Sequence, residues 1–190
     1  MHYLITGGAG FIGGHLTEAL LASGHRVTVI DNYSTGSPEN LARVADHPGL
    51  TLIEADILDC AETLENCIAA CDVVFHLAAA VGVELVVRDP VRTITTNVHG
   101  TENVLKLTAK YNRRVIVAST SEVYGKSTNP LFSETDDLLI GSPFHSRWSY
   151  ACSKLLDEFY VMAFHRSTGM PGTVVRFFNT VGPRQTGMYG

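Results

Sequence analysis

An α/β fold with a doubly wound parallel sheet is predicted for this chain, and three observations predict it. Short apolar runs alternate with helix-length stretches from one end to the other, the order expected of strand-helix-strand units. Three glycines, Gly7, Gly10 and Gly13, fall in "YLITGGAGFIGGHL", between the first apolar run and the first helix-like stretch. An acid, Asp31, closes the second run. With 190 residues, 45% of them hydrophobic, the chain can bury one sizeable core, so a single domain over 1–190 is expected.

The elements follow in order. The first strand is expected at His2 to Thr6, and the helix that opens on the glycine turn at Phe11 to Ala22. Arg26 to Ile30 is the second strand. Ser37 before Pro38 reads as an N-cap and first helical position, so a helix is expected over Pro38 to Ala45. Leu50 to Glu54 is the third strand, Cys60 to Ala70 a helix, and Asp72 to His76 the fourth strand. A long helix over Val91 to Lys110, a strand at Arg114 to Ser119, a helix at Tyr150 to Ser167 and a strand at Thr173 to Phe178 complete the series. Two connections, Ala79 to Pro90 and Gly125 to Trp148, exceed a simple turn. Loops at the C-terminal ends of parallel strands build the site in such sheets, so substrate contacts are expected there.

Composition narrows the partners. A formal net charge of -5 and a pI near 5.9 leave no basic footprint for nucleic acid or an anionic membrane, and favour a small ligand. The most apolar region, Cys67 to Val87, is interrupted by Asp72, His76 and Glu84, which suits a buried strand and loop better than a membrane span. Strand-like residues begin at His2, so no secretory leader is expected. Cys60, Cys67, Cys71 and Cys152 show no metal-type pairing with histidines and read as reduced packing residues of a cytoplasmic enzyme, with no metal site.

The glycine corner carries the binding hypothesis. Gly7 permits a tight turn, Gly10 lets the backbone approach a pyrophosphate, and Gly13 allows helix to pack closely on strand. The backbone through Phe11 and Ile12 then presents a helix N-terminus to phosphates. Asp31 lies close to the spacing of about 20 residues expected for an acid that binds the adenosine ribose. A carboxylate there repels a 2′-phosphate, and no arginine or lysine follows until Arg43, so NAD is expected rather than NADP. Asn32, Asp56, and Leu77, Ala78 and Ala79 of "HLAA" belong to the same sheet edge. His76 is read as a packing residue.

A second pattern is "RWSYACSK". On a helix, Tyr150 and Lys154 share one face, and a nearby ammonium lowers a phenol's pKa, so the pair is either a surface coincidence or a tuned acid and base.

Taken together, "TGGAGFIG", "DNYSTG", "ADI", "HLAA", "NVHGTENVL", "ASTSEVYG", "YACSK" and "RFFNTVGPR" resemble the extended short-chain dehydrogenase/reductases that modify nucleotide sugars. The resemblance implies a Rossmann fold, bound NAD and a nucleotide-diphosphate sugar, in particular a UDP-sugar, as substrate. It also implies catalysis by Tyr150 and Lys154 with Thr120 in the Ser/Thr position, adenine contacts from Asp56 and Ile57, and a substrate contact from Asn179. Tyr150 would take the proton of the sugar 4-hydroxyl while hydride leaves C4, and Lys154 would also hold the nicotinamide ribose. Homodimers built on the two long helices are common in the family. Its small C-terminal substrate domain is expected to lie largely outside this chain.

The segment "TSEVY" bears on the reaction. Simple 4-epimerases usually carry small or neutral residues where this chain has Glu122, and 4,6-dehydratases place an aspartate before that glutamate, where this chain has Ser121. Thr-Ser-Glu resembles UDP-glucuronate decarboxylases and UDP-apiose/xylose synthases, and Glu122 is expected to work on the reacting sugar. Other segments, "FNTVGPRQTG" and "AAAVGVELVVRDP", keep a UDP-glucose 4-epimerase close behind, with a dehydratase and a non-catalytic NAD sensor as further alternatives. Arg88, Arg92, Arg147 and Arg184 could meet a diphosphate or carboxylate, but each reads first as a surface or salt-bridge residue.

Overall fold

The computed structural model describes residues 1–185. Six parallel strands form one sheet in the order β3-β2-β1-β4-β5-β6. They are β1 His2–Thr6, β2 Arg26–Asp31, β3 Leu50–Glu54, β4 Val73–His76, β5 Arg114–Thr120 and β6 Gly172–Phe177. The helices are α1 Phe11–Ala22, α2 Ala61–Ala70, α3 Val83–Arg88, α4 Pro90–Lys110 and α5 Trp148–Thr168. From β1 the chain builds outward through β2 and β3, then returns to the far side of β1 for β4. That reversal opens a crevice beyond the C-terminal ends of β1 and β4.

Alternation along the strands divides the core between the two faces. On β1, Leu4 points into the cluster with Leu64, Ile68, Val104 and Leu105, while Ile5 points into the one with Leu21, Val27, Val29 and Leu41. Both β1 side chains are fully buried, each such burial stabilising the fold by about 1.5–3 kcal/mol.

Local sequence sets the helix ends. Asp89 caps α4 by accepting a hydrogen bond from the Arg92 N–H at 3.0 Å, and Pro90 fills the first turn, where a missing N–H costs nothing. Helix α5 stops at Gly169, whose left-handed φ of 77° is readily adopted without a Cβ.

Three expectations are corrected. Pro38–Val44 is a 3-10 helix rather than an α-helix, although Ser37 does cap it by accepting from the Glu39 N–H. The connection from Ala79 to Pro90 contains α3, and Ser121–Tyr124 forms a second 3-10 turn capped by Thr120. All four cysteines are free thiols, but Cys152 is exposed on the outer face of α5 and packs no core. Among the described residues no helix is long and apolar enough to cross a membrane.

Helix α1 sits close to the sheet because Gly13 has no side chain. A Cβ there would lie 2.4 Å from the Gly7 carbonyl oxygen and 2.6 Å from the Gly8 Cα, both backbone atoms that cannot step aside. The substitution Gly13→Ala is expected to destabilise the protein by about 1–3 kcal/mol, measured from urea unfolding. An unchanged midpoint would show that α1 has room to shift.

Candidate functional site

The strand ends open into a cavity of about 700 Å³. Gly7, Gly10, Phe11, Ile12 and Gly13 line one side of it, with Asp31, Asn32, Asp56 and Ile57 beyond the ends of β2 and β3. Leu77, Ala78 and Ala79 follow β4, and Thr120, Glu122, Tyr150, Lys154 and Asn179 close the far side. Every residue expected to hold the cofactor, contact the substrate or catalyse therefore borders one space, whereas Arg88 and Arg92 do not. Thr35, Thr96, Arg147, Arg184 and Gln185 line it as well.

The glycine corner is shaped by contacts within the protein. Gly7 has φ 74°, and a Cβ there would come within 2.6 Å of the Ala78 backbone nitrogen, so the turn lies directly against the chain leaving β4. At the start of α1, Gly10 offers no side-chain cap and the first turn carries no acid. Among the described residues its first N–H groups thus have no side-chain cap, and the first-turn residues Phe11, Ile12 and Gly13 line the cavity, a placement suited to a diphosphate.

Asp31 bridges two segments. Its Oδ2 accepts from the Ala9 N–H at 2.9 Å and its Oδ1 from the Tyr33 N–H at 2.8 Å. Burial pushes its carboxyl pKa up, and the two backbone N–H groups pull it back. Next to it, Asn32 Nδ2 donates to Asp56 Oδ2 at 2.8 Å, while Asp56 Oδ1 accepts from the Leu58 N–H at 2.9 Å. Ile57 is buried and would collide with a side chain at Gly100, its Cδ1 standing 2.6 Å from the position of a Cβ there.

The far side concentrates the acid-base groups. Thr120 Oγ1 accepts from the Glu122 N–H at 3.2 Å, which leaves its own O–H free to donate. That hydroxyl stabilises a Tyr150 phenolate, but burial and the charges of Glu122 and Asp157 outweigh it and push the Tyr150 pKa up to about 12. Lys154 takes no part in that balance. Lys154 Nζ donates instead to Asp157 Oδ2 at 2.7 Å, with Lys154 2% and Asp157 0% exposed.

A polar layer between α4, α5 and the sheet supports these groups. Asn97 Oδ1 accepts from the Ala80 N–H at 2.7 Å, and its Nδ2 donates to Ser153 Oγ at 3.0 Å, so α4 fixes both the loop after β4 and the buried face of α5. Ser119 donates to Glu158, which also holds Arg176 in a two-pronged ion pair. None of Asn97, Ser153, Asp157, Glu158 and Arg176 was anticipated. The signal for the α5 members is their spacing from Tyr150, which keeps them on its helix face.

The arginines divide. Arg184 lines the cavity but spends its guanidinium on Glu18 and the Asn40 carbonyl, at 2.7 Å each. Arg147 lines it too, stacked 4.8 Å from the Trp148 ring, while Arg88 pairs with Glu84 on the exposed side of α3.

His76 is a core residue, as read from the sequence. Its Nδ1 shares a hydrogen with Thr6 Oγ1 at 2.7 Å and its Nε2 with Thr101 Oγ1 at 3.1 Å, and burial with the Lys154 charge pushes its pKa down to about 3. An unfolded chain takes up this proton near the ordinary value of 6.5, so the unfolded state binds more protons between the two values. The stability linked to neutral His76 is complete above that window and is lost as pH falls through it. Between pH 7 and about pH 5 the parent is expected to lose about 2 kcal/mol more than His76→Gln in urea unfolding. Equal losses would place the uptake elsewhere.

Known proteins resemble this chain in sequence and in fold. The sequence model of the NAD dependent epimerase/dehydratase family matches residues 3–189. A UDP-N-acetyl-alpha-D-glucosaminuronate decarboxylase of Bacillus cytotoxicus is 45% identical, over 95% of this chain and 55% of its own length. UDP-glucuronic acid decarboxylase 1 of Arabidopsis thaliana is 37% identical, over 97% of this chain and 41% of its own. Among solved structures, the UDP-glucose 4-epimerase of Thermotoga maritima with UDP-glucose superposes with TM-score 0.87 at 36% identity, covering 100% of this chain and 60% of that one. The dTDP-glucose 4,6-dehydratase of Streptomyces venezuelae with NAD bound gives 0.88 at 33%, covering 97% and 58%. The chain spans about half the length of the curated relatives it matches.

Proposed function

The chain belongs to the NAD-dependent epimerase/dehydratase family, and on that premise we propose that it modifies a nucleotide-diphosphate sugar through transient oxidation at the sugar C4, ending in decarboxylation of a UDP-hexuronate. The observation that carries this reading is the meeting of the Tyr150 hydroxyl, the Thr120 hydroxyl and the Glu122 carboxylate on one wall of the cavity, opposite the glycine corner. Bound NAD would accept and return the hydride.

The residues of the chain would do the rest. The N–H groups at the start of α1 hold the cofactor diphosphate, and the Asp31 carboxylate accepts from the adenosine ribose while repelling a 2′-phosphate. Asp56 and Ile57 border the adenine end. Thr120 orients the sugar 4-hydroxyl, and Tyr150 takes its proton as a phenolate stabilised by Lys154. Oxidation at C4 of a hexuronate produces a β-keto acid, whose carboxylate leaves as carbon dioxide because the ketone accepts the electron pair. Glu122 works at the adjacent carbon, and Asn179 contacts the nucleotide sugar.

A 4-epimerase is the second reading, favoured by solved epimerases at 36% identity. Ser121 in place of an acid weighs against dehydration. The free cysteines suit a reducing compartment such as the cytoplasm. A homodimer fits the apolar side chains exposed on the two long helices, Val91 and Ile94 on α4 with Leu156, Phe159 and Met162 on α5.

Incubation with UDP-glucuronate, its N-acetylglucosamine-derived counterpart and UDP-glucose, followed by mass spectrometry, is expected to show loss of carbon dioxide from a hexuronate. A product of unchanged mass but altered chromatography would replace decarboxylation with epimerisation. Tyr150→Phe should abolish turnover, and Glu122→Gln should lower it about 100-fold or more while NAD still binds. Near-normal turnover of Glu122→Gln would remove the glutamate from the mechanism. Phe159→Glu should convert a dimer to a monomer in light scattering, whereas a parent already monomeric would exclude the interface.

A further inference from the structure

Helix spacing allows Lys154 two partners. Tyr150 lies one turn before it and Asp157 just under one turn after, both on the same face of α5. In the structure it donates to Asp157 Oδ2 at 2.7 Å, and both residues are removed from solvent. A buried ammonium needs a counter-charge, and a buried carboxylate needs donors; here each supplies the other. Lys154 is the donor hydrogen-bonded to that carboxylate, with Thr101 of α4 near enough to favour its charge.

We propose that Asp157 is a positioning residue that keeps the Lys154 ammonium off the Tyr150 hydroxyl, so that Tyr150 stays a neutral phenol until Lys154 changes partner. The inference rests on Tyr150 being the base of the proposed reaction, and it adds what governs when that base becomes competent.

The groups facing the pair from every side agree. Glu122 and Thr120 approach Tyr150 from the end of β5 and the turn after it, one opposing the phenolate and the other favouring it. His76 on β4 is neutral and held between two threonines. Thr101 on α4 favours the ionised form of Asp157. Glu158, next along α5, is neutralised by Arg176 from β6. The positive charge able to favour a Tyr150 phenolate from within this group is thus Lys154, and Asp157 both captures that charge and opposes the phenolate directly. Lys154 also borders the cavity, so a bound ribose can offer it hydroxyl acceptors in exchange for Asp157. Burial raises the Asp157 carboxyl pKa, which eases protonation of that group once the ammonium departs.

The test reads Tyr150 ionisation directly, without turnover. With tyrosine 13Cζ labelling, and Tyr150→Phe to assign the signal, the parent resonance is expected to stay at the neutral-phenol position up to about pH 10.5. In Asp157→Asn the ionisation midpoint should fall by at least one pH unit, about a tenfold rise in the acid constant. An unmoved or raised midpoint in the folded variant overturns the proposal. A purely structural role for Asp157 would lower stability and leave the midpoint in place.

Should Asp157→Asn not fold, the unchanged protein answers by 15N NMR of its lysine side chains, assigned with Lys154→Met. Slow solvent exchange of the Lys154 ammonium protons is expected, and exchange as fast as that of Lys126 overturns the pairing. Neither measurement needs substrate. Failure of the functional reading would appear separately, as lack of turnover with the midpoint shift intact.

Discussion

The Asp31 carboxylate receives two backbone N–H groups, one from Ala9 in the glycine turn and one from Tyr33 beyond β2, and so fixes the turn to the end of its neighbouring strand. Ala9 in turn accepts from the Ser37 N–H and the Asn40 side chain, which ties the 3-10 helix to the same point. Arg184 reaches back from beyond β6 to the Asn40 carbonyl and Glu18, closing the corner from outside. The Asp31 carboxylate is thus one link in a network that joins the glycine turn, the chain after β2 and the chain after β6. Their convergence forms the wall on which a dinucleotide would rest.

The opposite wall rests on polar groups where a helix usually presents apolar ones. The buried face of α5 carries Ser153, Lys154, Asp157 and Glu158 beside Ala151 and Val161, and α4 buries Thr93, Asn97, Thr101 and Thr108 toward it. Such groups are costly to bury unless each finds a partner, and most do: Asn97 with Ser153 and Ala80, Lys154 with Asp157, Glu158 with Ser119 and Arg176. Hydrogen bonds are directional, so the paired members of this layer constrain the helix that carries Tyr150 more closely than apolar contacts would.

Much of this was legible in the sequence because its causes are local. Strands with both faces covered read as short apolar runs, and the observed strands depart from the expected ones by a residue or so at the ends. The glycine corner was legible because each glycine answers a steric demand that spacing reveals. Helix α3 was missed because Val83–Arg88 is short and lies in a stretch whose apolar residues could equally line a loop. The 3-10 geometry of Pro38–Val44 was missed because Ser37-Pro38 signals a helix start without fixing its hydrogen-bond pattern. Spacing also placed Lys154 on the face of Tyr150 but could not choose between Tyr150 and Asp157, since both are within reach along one helix face. Arg184 was read as a surface or salt-bridge residue without its partner being named, because Glu18 and Asn40 are remote in sequence and only the folded chain brings them together.

The glycine corner and Asp31 together would form a dinucleotide site that rejects a 2′-phosphate, and the proposed chemistry requires that site. Calorimetric titration of the protein with NAD and, separately, with NADP measures this without reference to any sugar. Binding of NAD at least about tenfold tighter than NADP, a difference of about 1.4 kcal/mol, is the predicted result. Equal or tighter binding of NADP, or no binding of either, would contradict it.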